Sequence, residues 1–89
     1  MSTYVSSMDT FKNILNLIDE YWRYPENHKH MRMGQFLINE IEKEDSIFSH
    51  TEVEGMKSAL KKDWQYIYYT ENNDEAVDFF TNYFMNIED

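Results

Sequence analysis

Between Met8 and Ile87 the apolar side chains fall into four runs with helical spacing, and only one proline and two glycines interrupt them. That combination constrains the fold more than any motif does. Sandwiches and barrels need many tight turns, and tight turns draw on glycine and proline. An 89-residue chain with three such residues has to be built from helices joined by short connections.

The first run holds Phe11, Ile14, Leu15, Ile18 and Trp22, at i, i+3, i+4, i+7 and i+11, and it predicts a helix over 8–23. Leu17 and Tyr21 widen the stripe, and Trp22 is expected in the core. Ser7 or Asp9 offers a side-chain oxygen for the N-cap. Pro25 ends this helix near Arg23 or Tyr24, because its ring excludes helical geometry at the preceding residue. Residues 24–30 then read as a polar connector. A second helix is expected over 31–43, with Met33, Phe36, Leu37, Ile38 and Ile41 on its buried side. Gly34 sits inside that pattern. It costs about 1 kcal/mol against alanine in a helix, so its presence points to a close backbone approach.

Residues 44–49 form a connection with Ile47 and Phe48 as an apolar plug. Ser49 and Glu52 have the spacing of a capping box, which starts a third helix over 50–68. Its seam is Val53, Met56, Leu60, Trp64 and Ile67, and it extends to Tyr68 or Tyr69. Asn72 or Asn73 caps a fourth helix over 74–87, where Asp74 and Glu75 lie at the positive end of the helix dipole. Val77, Phe80, Phe84 and Ile87 form its seam. The expectation is an all-α single domain, 1–89, a compact bundle of about four helices with 1–7 and 88–89 frayed. A chain this long buries roughly 60–65% of its unfolded surface, and fifteen aromatic residues supply bulk to that core.

Charge is distributed unevenly. The net charge is −9. Residues 1–62 carry all eight basic side chains and ten acidic ones. Residues 63–89 carry seven acids (Asp63, Glu71, Asp74, Glu75, Asp78, Glu88, Asp89) and no base. Such a field repels nucleic-acid phosphates and anionic lipid and attracts basic partners. Lys57, Lys61 and Lys62 make a local basic patch, which reads as a solvated helix face with Glu54 pairing to it.

Several chemistries lack their residues. There is no cysteine, which removes disulfides, thiolate nucleophiles and cysteine-ligated zinc and fits a reducing compartment. No window approaches the roughly 20 apolar residues of a membrane span. The N-terminal stretch lacks a basic region followed by an apolar one, so no secretory signal is expected and the cytoplasm is the expected compartment. His28 and His30, with His50 or Glu26, are the only thinkable metal ligands, and no second cluster supports them. No nucleophile motif, phosphate loop or calcium loop is present, and the acids carry no acid–base signature. No enzyme, no cofactor and no metal are expected.

In the centre, Arg32 and Gln35 lie three residues apart, on neighbouring turns of one face, with Asn39 one further turn along. Arginine and glutamine offer planar, paired hydrogen bonding to a carboxylate, a phosphate or a backbone. The competing reading ties this helix start to the loop around Pro25. The order Trp22, Pro25, Arg32, Gly34, Gln35, Phe36, Asn39 resembles a loose family of small bacterial and phage proteins. These carry an aromatic-rich first helix ending near Trp, then Pro, then Arg-x-Gly-Gln-aliphatic-x-x-Asn. Ile47 to Glu52 resembles a later segment of the same family, and the resemblance covers about residues 14–60. The spacer from Pro25 to Arg32 is longer and richer in histidine than the family's, and the acidic aromatic C-terminal helix is not part of its pattern. The resemblance implies a small helical domain and no particular activity.

The remaining candidates lie after Lys62. Eight aromatics (Trp64, Tyr66, Tyr68, Tyr69, Phe79, Phe80, Tyr83, Phe84) stand among the seven acids. One buried face per helix cannot absorb them all, and exposed aromatics ringed by charge mark partner sites. Tyr66, Tyr69, Asp74, Asp78 and Tyr83, with Arg32 and Gln35, are the expected contact residues. The expected role is a small acidic protein-binding module for a basic protein surface, with carboxylates mimicking nucleic-acid phosphates as one form. The alternative is a homo-oligomeric structural or accessory protein, dimerising through the last helix.

Overall fold

The computed structural model describes residues 7–86, and among them every regular element is a helix. In chain order these are α1 (Ser7–Arg23), α2 (Pro25–His28), α3 (Met33–Glu42), α4 (His50–Leu60), α5 (Lys62–Tyr69) and α6 (Asn73–Met85). The all-α expectation holds, but six helices replace four. Residues 1–6 and 87–89 lie outside the described residues, and with them Ile87 of the expected last seam and the expected frayed ends.

α3 is the central element and packs against α1, α5 and α6. It buries Met33, Phe36, Leu37, Ile38 and Ile41, the side predicted for it. Gly34 explains how close its neighbour comes. A Cβ placed there would lie 1.8 Å from the Ile67 carbonyl oxygen of α5, so α3 and α5 touch backbone to backbone and only glycine fits.

The connector after α1 is not wholly irregular. Tyr24 is extended (φ −109°, ψ 114°), as a residue before proline must be, and Pro25 then opens the one-turn helix α2.

α1 is rotated from the expected stripe. It buries Thr10, Ile14, Leu17 and Tyr21, while Leu15 and Trp22 are 46% and 52% exposed. Two polar groups on the buried side account for the rotation. The Tyr21 hydroxyl donates to the Met31 carbonyl at 2.5 Å, and the Thr10 hydroxyl donates to the Glu52 carboxylate. A buried polar group left without such partners costs about 1–3 kcal/mol, enough to choose between two apolar arcs of similar size. Trp22 therefore rests against the rings of Tyr21 and His28 at the surface instead of entering the core. Of the expected caps, Ser7 and Asp9 both fall within the first turn of α1.

The expected third helix breaks at Lys61, which adopts φ 51° and ψ −119°. The sequence offers neither glycine nor proline there, so periodicity runs through the break unmarked. The turn gives α5 a direction of its own, and α5 seats Trp64 and Ile67 against α3 while α4 packs on α5 and α6. The capping box at the head of α4 is formed in both directions. Ser49 Oγ accepts the Glu52 N–H at 3.1 Å, and the Glu52 carboxylate accepts the Ser49 N–H at 2.8 Å. Of the apolar plug only Phe48 is buried, and Ile47 is 60% exposed.

Candidate functional site

The candidate residues occupy four places. The first is the outer side of α5 and α6. α6 turns Ala76, Phe80 and Phe84 inward, so Asp74 and Asp78, one turn apart, face solvent. Asn72 caps the helix by accepting the Glu75 N–H at 3.1 Å. Tyr66 reaches across from α5. Its hydroxyl donates to Glu75 Oε1 at 2.5 Å, and its ring meets the edge of Phe79 with centroids 5.6 Å apart. Thr70 donates to the same carboxylate oxygen at 3.0 Å. The hydrogen bond to Glu75 is the main reason that the Tyr66 hydroxyl titrates above the ordinary tyrosine range. Tyr66 is thus half exposed yet held in place by Glu75 and Phe79, and Asp74 and Asp78 precede those two residues in the helix.

Tyr69 and Tyr83 do not join that group. Tyr69 is 61% exposed and packs edge-on against Tyr68, over a shallow depression that also involves Ile38, Glu42 and Lys57. Tyr83 leans towards α4, where its hydroxyl lies near Gly55, and burial raises its titration. Lys57 pairs with Glu42 of α3 at 3.1 Å, where Glu54 had been the expected partner.

The fourth place is the start of α3. Arg32 stands at the helix N-cap, and its Nε is buried without a hydrogen-bond partner. Gln35 donates to the Tyr68 hydroxyl at 3.4 Å, a long bond, so its tie is to α5 and not to the loop around Pro25. Asn39 is exposed, and its amide makes only a long contact with the Met31 sulfur. Arg32 and Gln35 both line an open depression with His28, Lys29, His30 and Asn73, so here the predicted pair does come together. His28 Nδ1 lies 3.1 Å from the Tyr21 carbonyl, which can only accept, so that nitrogen carries the proton. His50 opens α4 and lines a different depression, with Lys57. Among the described residues no three His, Asp or Glu side chains form a group that could hold a metal ion. Nor is any helix among them long and apolar enough to cross a membrane.

Sequence reasoning missed two residues. Glu75 was read as a helix-dipole charge, but it is the acceptor that fixes Tyr66. Asn73 was read as a cap for its own helix, but its side chain accepts the Met33 N–H of α3 at 3.1 Å. Spacing carries no signal for either, because both partners come from other elements. The comparisons add nothing to this geometry: no protein-family model, no curated protein and no solved structure matches the chain.

Proposed function

We propose that the chain is a small, non-enzymatic protein-binding module whose α5–α6 face engages a basic protein surface. The observation that carries this reading is the state of Asp74 and Asp78. Both are exposed, neither forms an ion pair among the described residues, and in the helix each precedes by one residue a contact of the half-exposed Tyr66, Glu75 and Phe79. A side chain held before binding loses less entropy on binding, which suits Tyr66 as an anchor. Carboxylates without cations gain most from a partner that brings them. Phosphate mimicry is one form of the same interaction, with the carboxylates standing where nucleic-acid phosphates would lie on the partner. The test is retention of partners from lysate on the immobilised protein at low and high salt, beside a variant carrying Tyr66→Ala, Asp74→Lys and Asp78→Lys. The expected partner is lost at high salt and absent from the variant. A partner held equally by both proteins at every salt concentration refutes the reading.

A second reading, self-association, is favoured by α1. Met8, Leu15 and Trp22 recur every seven residues and are 57%, 46% and 52% exposed, with Phe11 and Ile18, partly buried, between them. This is a two-heptad apolar seam on the outside of the helix. Its outer flank carries Lys12 and Asp19, which an antiparallel second copy would set against Asp19 and Lys12. If the chain is a homo-oligomer, α1 is the better interface than the last helix.

A further inference from the structure

We infer that the depression at the start of α3 is a binding site for a phosphate group, with Arg32 as its principal ligand. The claim is independent of the acidic face and concerns the opposite charge. In a chain of net charge −9, residues 28–32 place His28, Lys29, His30 and Arg32 together with no acid among them. The fold turns all four to one open depression of about 350 Å³, which Gln35 also lines. Glu71 is the one carboxylate on its wall.

The hydrogen-bond inventory gives the depression its preference. Three of the acceptors around it are already engaged, and Glu71 is the one carboxylate that is not. The Tyr21 carbonyl meets His28 Nδ1, the Met31 carbonyl takes the Tyr21 hydroxyl, and Asn73 Oδ1 takes the Met33 N–H. The cations on its wall are unengaged as well. Arg32 Nε is buried without a partner. The ion pairs of the described residues use Arg23, Lys43 and Lys57, so Arg32 and Lys29 are uncommitted cations. Arg32 Nε lies beneath the surface, so it is the rest of the guanidinium that meets an anion in the depression, and an acceptor that also drew Nε outward would recover the cost of leaving it unpartnered. A carboxylate offers two oxygens in one plane. Arg32, Lys29 and His30 bring donors from three separate residues of the wall, which suits a phosphate with its several oxygens. A nucleic-acid backbone offers the same group, but the net field of the chain opposes it. The ligand is therefore a phosphorylated small molecule or a single phosphorylated side chain.

The test is a titration of the isotope-labelled full chain with inorganic phosphate at fixed ionic strength, followed by NMR. The expected result is saturable shifts of the Arg32 Nε–H and of His28, Lys29 and His30, with a Kd on the order of 1 mM. Acetate should bind at least several-fold more weakly. Arg32→Gln should weaken phosphate binding about tenfold, the loss of one charge-assisted hydrogen bond. Lys29→Gln alters only an exposed side chain, so it keeps the test valid if Arg32→Gln fails to fold, and it too should weaken binding. Phosphoserine and a phosphoserine peptide run in parallel separate the two sources. Tighter binding of the peptide assigns a modified protein, and equal binding assigns a small ligand. Non-saturating shifts, equal response to acetate, or unchanged binding by both variants overturns the proposal.

Discussion

Replacing Gly34 by alanine should be the most damaging single-methyl change in this protein, although alanine is the better helix former. The added Cβ would stand 1.8 Å from the Ile67 carbonyl oxygen and 2.8 Å from its carbonyl carbon. An ordinary carbon–oxygen contact needs about 3.3 Å, so α3 and α5 would have to separate by roughly 1.5 Å. Overfilling a packed contact costs about 1–3 kcal/mol, and this one meets backbone, which cannot rotate away. The displacement also loosens Leu37, Ile67 and Trp64, which lie in the same buried cluster. Against this stands a gain of about 1 kcal/mol in helix propensity. Because the clash is with backbone, the cost lies at the upper end of that range, and the net expectation is a loss of about 1–2 kcal/mol, or about 4–16 °C in Tm for a domain of this size. Gly55→Ala is the internal control. It lies inside α4, and among the described residues outside its own helix the one atom within 4 Å of its added Cβ is the Tyr83 hydroxyl oxygen, at 3.9 Å. There the propensity term acts alone, and stability should rise by about 0.5–1 kcal/mol. Urea unfolding followed by far-UV circular dichroism measures both. If Gly34→Ala is as stable as the parent, or if the two alanines shift stability in the same direction, the backbone contact between α3 and α5 is not as described.

Three further changes probe other parts of the structure. Lys61→Gly should stabilise by about 1 kcal/mol despite glycine's entropy cost, because φ 51° with ψ −119° is a conformation that side chains with a Cβ rarely adopt; a loss of stability in thermal unfolding would place the break elsewhere. Tyr21, Tyr66 and Tyr83 all titrate above 10.0 in the folded chain, through burial for Tyr21 and Tyr83 and through Glu75 for Tyr66. A raised folded-state pKa contributes stability that is fully present below the unfolded value and is lost as pH rises through the folded one. Stability should therefore hold steady up to about pH 10 and fall above it, and Glu75→Gln should bring the Tyr66 titration down in a residue-resolved NMR series. Leu15→Glu places a charge at the middle of the exposed α1 seam, so it should leave folding intact and abolish any self-association seen by sedimentation equilibrium; association that survives it excludes α1 as the interface.

The parts of the fold that could be read from the sequence are those whose cause is local. Ser49 and Glu52 cap α4 three residues apart, which spacing identified, and Asn72, one of the two asparagines the sequence offered as the cap of α6, closes its bond over the same distance. The seam of Met56, Trp64 and Ile67 was equally visible, because helix periodicity survives the change of axis at Lys61. The rotation of α1 was not visible. It depends on Thr10 meeting a carboxylate 42 residues away and on Tyr21 meeting a carbonyl across the loop. Gly34 announced a close approach without saying to what. The acidic character of the α5–α6 side followed from counting charges, but the pairing of Tyr66 with Glu75 required the two helices to be placed side by side. Arg32 and Gln35 were singled out as a pair, and the histidines that share their depression reach it only through the one-turn helix α2.

The two asparagines at the head of α6 have a consequence for how the protein opens. Asn72 holds the first turn of its own helix, and Asn73 holds the first amide of α3, forty residues earlier. Neither helix start can fray alone. When residues 72–75 unwind, the Met33 amide loses its acceptor, and when α3 withdraws, Asn73 loses its anchor. Protection against hydrogen exchange should accordingly rise and fall together at Met33 and Glu75, two amides remote in sequence. The beginnings of these two helices then form one cooperative unit, opening as a single event between the basic depression on one side and the acidic ridge on the other.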